Sequence, residues 1–217
     1  FLRHGRDVLS IDLPGHGKSN GPLLDSIELL SACLLDYLDS RNVDKFSIVG
    51  HSMGSLIALE TAAAQPNRVN NLVMIGTAFP MAVSEALLNL AKDNDPGAID
   101  VLTFMSFSED ARIGNSKNPG MWMTEGTRRL MQRSSKNVIF KDLLACSNFV
   151  NGLDRAKEVN AKTLLILGEN DYLTPKHKAK DLIENFKSVL VKEIKGSGHS
   201  LMVENPNLVL DYLLTAL

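Results

Sequence analysis

The chain has 217 residues, 44% of them apolar, 22% charged and 6% aromatic, with a formal net charge of −2. That length and balance describe one globular domain with at most an inserted subdomain, and exclude a disordered tail, a collagen-like rod and a disulfide-stapled mini-protein. The near-neutral charge gives no footprint for nucleic acid or an anionic membrane, and no apolar run approaches the roughly 20 residues of a membrane helix.

Phe1 to Gly5 reads as the last turn of a helix closed by glycine. The chain opens without an initiator Met and is expected to be cut at its front; with no signal core in view, the default compartment is the cytoplasm. Asp7–Asp12 reads as a short strand stopped by Leu-Pro-Gly-His-Gly, and Ile27–Leu38 as an amphipathic helix. Phe46–Val49 is a short buried strand running into Gly50-His51-Ser52-Met53-Gly54, followed by an Ala-rich helix over Ser55–Gln65 that ends before Pro66. Further strands are expected at Leu72–Ile75, Thr163–Leu167 and Val189–Ile194. A helix is expected over Lys178–Asn185, and a closing one from Pro206, with Asn205 as its N-cap.

The stretch 79–160 offers no strand candidate. Helical segments near 83–92, 97–105, 124–134 and 138–147 are joined by Gly/Asn/Pro loops such as 114–120. The expected fold is therefore α/β: a mostly parallel sheet with helices on both faces, formed by 1–78 and 161–217, interrupted by a helical insertion at 79–160. Cys33 and Cys146 lie in apolar, helix-like contexts and read as reduced core thiols. Two distant cysteines and five scattered histidines do not assemble four zinc ligands, so no metal is expected.

Gly50-His51-Ser52-Met53-Gly54 is a G-x-S-x-G turn between a buried strand and a helix, the context in which such a turn lifts a serine above the sheet. Close quarters are expected to demand glycine on both sides of it. A serine hydroxyl needs a base, and the base needs a carboxylate. Asp171 lies just past the strand ending at Leu167, and His199 follows the last strand in Gly196-Ser197-Gly198-His199. Both fall on loops at the sheet edge where open α/β folds bind ligands. The other histidines read as bland. His16 has a loop or packing role, His51 lies on the far side of the turn away from the pocket, and His4 and His177 are solvent-exposed. Asp12 reads as a loop-fixing residue, and Glu169 as a rival acid placed too early.

Asp12-Leu13-Pro14-Gly15-His16-Gly17-Lys18-Ser19, the Ser52 turn, Gly168 to Pro175 and Gly198-His199 together resemble the α/β-hydrolase superfamily, in its capped branch of small esterase-like enzymes. The resemblance covers most of the chain and makes 79–160 the cap. It implies Ser52 as nucleophile, Asp171 as acid and His199 as base, with the Met53 N–H as one oxyanion donor. The substrate would be a small ester or related acyl compound, with no cofactor or metal. Met121, Trp122 and Met123 are the candidates for an apolar substrate contact. Serine in the turn separates the chain from the branches resembling epoxide hydrolases and haloalkane dehalogenases (Asp) and dienelactone hydrolases (Cys). The same three residues also serve C–C bond hydrolysis or cofactor-free haloperoxidase-like chemistry, and a partial copy would keep the scaffold without catalysis. By the same resemblance Asp7–Asp12 and Phe46–Val49 are neighbours of a strand absent from the chain. The loop supplying the second oxyanion donor is absent too, so the 217 residues alone are expected to hydrolyse esters poorly or not at all, where a full-length parent would do so. The sequence does not give the oligomeric state.

Overall fold

The computed structural model describes residues 1–114 and 120–217. A 3₁₀ turn at Leu2–His4 closes on Gly5 at φ +69°. The elements that follow are α1 (Ile27–Ser40), β1 (Phe46–His51), α2 (Met53–Ala64), β2 (Val69–Ile75), α3 (Glu85–Lys92), α4 (Pro96–Ser106), α5 (Glu109–Arg112), α6 (Met123–Gln132), α7 (Val138–Asn148), α8 (Gly152–Glu158), β3 (Lys162–Gly168), α9 (Lys180–Asn185), β4 (Val189–Ile194), α10 (Leu201–Glu204) and α11 (Pro206–Ala216). The loop expected at 114–120 lies, for residues 115–119, outside the described residues.

The four strands form one parallel sheet in the order β1-β2-β3-β4. Alternation along the strands separates two cores, as the two-residue period of a strand requires. Leu72, Met74 and Leu165 face a layer containing α1, α2, α8 and α9, whereas Val73, Ile75, Leu164 and Ile166 face α10 and α11. α2 has buried residues on every side, from Ser55 to Ala63, because it is enclosed between the sheet, α1 and α8. The helices α3, α4 and α7 share a smaller apolar cluster of their own, built on Leu87, Ala91 and Ala98 with Ile139, Phe140 and Leu143. α8 instead packs on α2 and α9, against the sheet layer.

One expected element is absent. Residues 6–13, which include Asp7–Asp12, form no strand, and Val8 and Leu9 are about half exposed at 53% and 49%. A strand is held by ladder hydrogen bonds, and among the described residues no strand lies beside this segment to supply them. α5, α8 and α10 are elements that periodicity did not announce; each is under two turns or nearly so, too short to show a face.

Candidate active site

The strands are in register at their carboxyl ends: His51 pairs with Ile75, Ile75 with Ile166, and Gly168 with Ile194. The segments leaving those ends therefore meet at one edge. They carry Ser52 after β1, Gly76 after β2, Asp171 after β3 and His199 after β4.

Ser52 sits at φ 53°, ψ −123°, a sparsely populated conformation for a residue with a side chain, immediately before the first turn of α2. The strain is held in place from both sides. Ser52 N donates to Ile75 O at 3.0 Å, and the Ser55 hydroxyl donates to Ser52 O at 2.6 Å while pairing with the Thr77 hydroxyl at 2.8 Å. The two glycines of the turn are not equivalent. A Cβ on Gly50 would stand 2.0 Å from Gly54 O, so strand and helix touch there and only glycine fits. At Gly54 a Cβ would meet nothing within 4 Å, which corrects the expectation that both positions lack room. Met53 is the first residue of α2, where an amide has no intrahelical acceptor and the helix end favours negative charge.

Asp171 and His199 come together directly. Asp171 is buried; its Oδ1 accepts from Leu173 N at 2.9 Å and Thr174 N at 2.7 Å, and its Oδ2 accepts from the Thr174 hydroxyl at 2.7 Å. His199 Nδ1 lies 2.8 Å from Asp171 Oδ2 and 3.1 Å from Thr174 Oγ1. Because the Thr174 proton is committed to Asp171, its oxygen can only accept from the imidazole. The proton of a neutral His199 is thereby placed on Nδ1, leaving Nε2 as the basic nitrogen. Burial raises the Asp171 pKa, but the hydrogen bond and charge of His199 and the Thr174 donors outweigh it and hold the carboxyl below its ordinary value.

Ser52 is brought to the same edge, next to the strand end that leads into Gly76. A Cβ on Gly76 would lie 3.2 Å from both His199 Nδ1 and His51 Nε2. Among the described residues no hydrogen bond joins the Ser52 hydroxyl to the imidazole. His51 does not lie on the far side of the turn, as the sequence suggested. Its ring is 4.6 Å from that of His199, and its Nε2 lies 2.9 Å from His199 O, to which it donates. Burial, followed by the charge of His199, pushes its pKa down to about 4, so this ring stays neutral beside the other.

The remaining candidates are distributed more widely. Met123 is buried against Phe107, Ala111 and Val203, whereas Met121 and Trp122 are exposed at the start of α6. Asp12 fixes its loop, accepting from Lys18 N at 2.9 Å through Oδ2 and from the Ser19 hydroxyl through its carbonyl. Glu169 is exposed and accepts from Gly196 N. His16 ties that same loop to α7, its Nε2 3.0 Å from Asp142. His4 and His177 are exposed, and Cys33 and Cys146 are free thiols, the latter pushed up by burial to about 12. Two surface clefts lie elsewhere, one of about 670 Å³ between α4, α5 and α6 and one of about 330 Å³ beneath the Asp12 loop. No helix among the described residues is long and apolar enough to cross a membrane. Sequence reasoning missed Thr174, Thr77 and the contact of His51. Only Thr174 carried a signal, as a hydroxyl one turn beyond an acidic residue.

A model of the Alpha/beta hydrolase family matches residues 1–212. The chain is 30% identical over 184 residues to a pimeloyl-[acyl-carrier protein] methyl ester esterase of Nitrosomonas europaea, across 76% of this chain and 67% of that protein. It is 24% identical over 228 residues to a 2-hydroxy-6-oxononadienedioate/2-hydroxy-6-oxononatrienedioate hydrolase of Comamonas testosteroni, across 98% and 79% respectively. An esterase from Exiguobacterium antarcticum superposes with a TM-score of 0.81 at 19% identity, over 94% of this chain and 78% of that one, a likeness of fold.

Proposed function

The chain belongs to the alpha/beta hydrolase family, and from that premise we propose that it is a serine hydrolase of small carboxylic esters in which Ser52, His199 and Asp171 act together. The Ser52 hydroxyl attacks the ester carbonyl while His199 Nε2 accepts its proton. Asp171 holds the imidazole in the Nδ1-protonated form and stabilises the imidazolium that results. The Met53 amide, at the positive end of α2, receives negative charge developing on the carbonyl oxygen. His199 returns the proton to the leaving alcohol, and water cleaves the acyl-enzyme by the reverse path. The proton transfer requires Ser52 Oγ to come within about 3 Å of Nε2, a contact that such sites commonly tighten when substrate is bound.

The observation that carries this reading is the buried 2.8 Å His199–Asp171 pair at the strand ends beside a strained serine. The helices α3 to α7 are read as a cap over that edge, with Met121 and Trp122, exposed at the start of α6, offering apolar contact to the acyl or alcohol group, whereas Met123 is committed to packing against Phe107 and Ala111. The test is intact-mass analysis during exposure to a p-nitrophenyl ester of a short acid. An acyl adduct located on Ser52, and lost in Ser52→Ala, supports the proposal; an adduct that persists in Ser52→Ala overturns it.

A second reading, hydrolysis of a C–C bond, is supported by the similarity to the Comamonas testosteroni hydrolase along nearly the whole chain. The same three residues would perform it. Cleavage of a chromogenic oxo-dienoate in preference to the nitrophenyl ester would favour that substrate class.

A further inference from the structure

The loop that carries His199 is held by a side chain that neither the mechanism nor the motifs use. Glu204, on α10, is 5% exposed, and its two carboxyl oxygens both accept from Gly198 N, at 3.0 and 3.1 Å. One of them also accepts from the Ser108 hydroxyl at 2.6 Å. Gly198 immediately precedes His199, and Ser108 belongs to the turn between α4 and α5. A single carboxyl group thus joins the base loop to the helical insertion. Ser200 N donates to Ser106 O at 2.8 Å beside it, so the same turn grips the loop on both sides of the imidazole. The approach is so close that a Cβ on Gly198 would stand 2.5 Å from Ser108 N and 2.9 Å from Glu204 Oε1.

Among the described residues no Lys or Arg pairs with Glu204. Burying a carboxyl group without a cation is unfavourable, and an apolar side chain of similar size would fill the space at lower cost. What the carboxyl supplies instead is direction, because its acceptors fix the Gly198 amide and therefore the start of the His199 residue. We infer that Glu204 is a positioning residue that couples the 106–108 turn of the insertion to the imidazole of His199. The inference rests on the reading of His199 as the base. A shift of that turn, on substrate entry or by mutation, is carried to the imidazole through Glu204.

The test measures the rate at which a fluorophosphonate modifies Ser52 in the purified chain, across a pH series, for the unaltered protein and for Glu204→Ala, Glu204→Gln, Ser108→Ala and the Glu204→Ala/Ser108→Ala pair. Circular dichroism melts confirm that each is folded at the assay temperature. Displacement of a base by a fraction of an ångström to 1 Å predicts a loss of about 10- to 100-fold in Glu204→Ala, with a displaced pH midpoint. Glu204→Gln keeps an acceptor for Gly198 N and is expected within about 3-fold of the unaltered rate, and Ser108→Ala about 3- to 10-fold below it. The double variant should be no slower than Glu204→Ala alone, because both act through one contact. A folded Glu204→Ala with unchanged rate and midpoint overturns the inference. Should Glu204→Ala fail to fold, an unchanged rate in Ser108→Ala overturns it. Should His199→Ala react as fast as the unaltered chain, the assignment of the base fails, a result distinguishable from either.

Discussion

His51 Nε2 donates to the main-chain carbonyl of His199 at 2.9 Å, so the residue preceding the strained serine supports the residue proposed to activate it. The two rings lie 4.6 Å apart at 46°, close enough that a positive charge on one disfavours charge on the other. The His51 ring is kept neutral by burial beside its neighbour.

This arrangement gives a pH dependence of stability with a defined sign. Unfolded His51 takes a proton near 6.5, whereas the folded ring does so only near 4. Its contribution is complete above the upper value and is lost as pH falls toward the lower, by on the order of 3 kcal/mol. Urea midpoints measured from pH 4 to pH 7.5 should fall with acidity in the unaltered chain and fall less steeply in His51→Gln. Parallel slopes would show that His51 is not the titrating group.

The His16–Asp142 pair has the opposite sign. The hydrogen bond that His16 Nε2 donates to Asp142, opposed by burial and aided by the charge of the same carboxylate, raises the His16 pKa. Its stabilisation is present below the ordinary imidazole value and is lost as pH rises through the raised one. Partly buried pairs of this kind contribute on the order of 1 kcal/mol. Asp142→Asn should therefore lower the melting temperature at pH 6 more than at pH 8.5; an equal loss at both would remove the ion pair from the account.

Asp171→Asn should preserve the fold and remove reactivity, because an amide can donate to Nδ1 and so stabilise the wrong tautomer. The modification rate of Ser52 is expected to fall by about 10³- to 10⁴-fold. Thr174→Val removes a hydroxyl donor from a buried carboxylate and should cost about 1–3 kcal/mol in a chemical melt, with a smaller loss of reactivity. Equal reactivity of Asp171→Asn and the unaltered chain would leave the carboxylate with only a structural role.

The two glycines of the serine turn should respond differently to alanine. In Gly50→Ala the new methyl group meets the main chain of Gly54, and the variant should fold poorly or lose several kcal/mol, roughly the range of severe core overpacking. Gly54→Ala adds a methyl group to open space inside a helix, and should be neutral or stabilising by about 0.5–1 kcal/mol. Thermal melts of the pair test the packing of the turn, and equal losses would contradict it.

Much of this site is written in local sequence. The positions of β1, β3 and β4 followed from short apolar runs, and the placement of Asp171 and His199 followed from strand ends. Those features depend on a few adjacent residues. What the sequence did not reveal depends on distant partners. Asp7–Asp12 has strand composition, but a strand exists only beside another, and none lies next to it. Thr174 could be suspected from its spacing to Asp171, yet its hydroxyl matters because β4 brings His199 against it. Glu204 meets Ser108 across nearly half the chain, and no periodicity encodes that meeting. The direction of His51 is set by the loop after β4, whose His199 carbonyl accepts from its ring, and no local pattern around the serine turn encodes that partner.

The most direct measurement is intact-mass and peptide analysis of the chain after exposure to a fluorophosphonate, alone and as His199→Ala, with the heat-unfolded protein as control. The account predicts a single adduct on Ser52 in the folded chain, and its loss both in His199→Ala and on unfolding. An adduct on a different residue, or one on Ser52 that forms equally well without the imidazole or the fold, would contradict it.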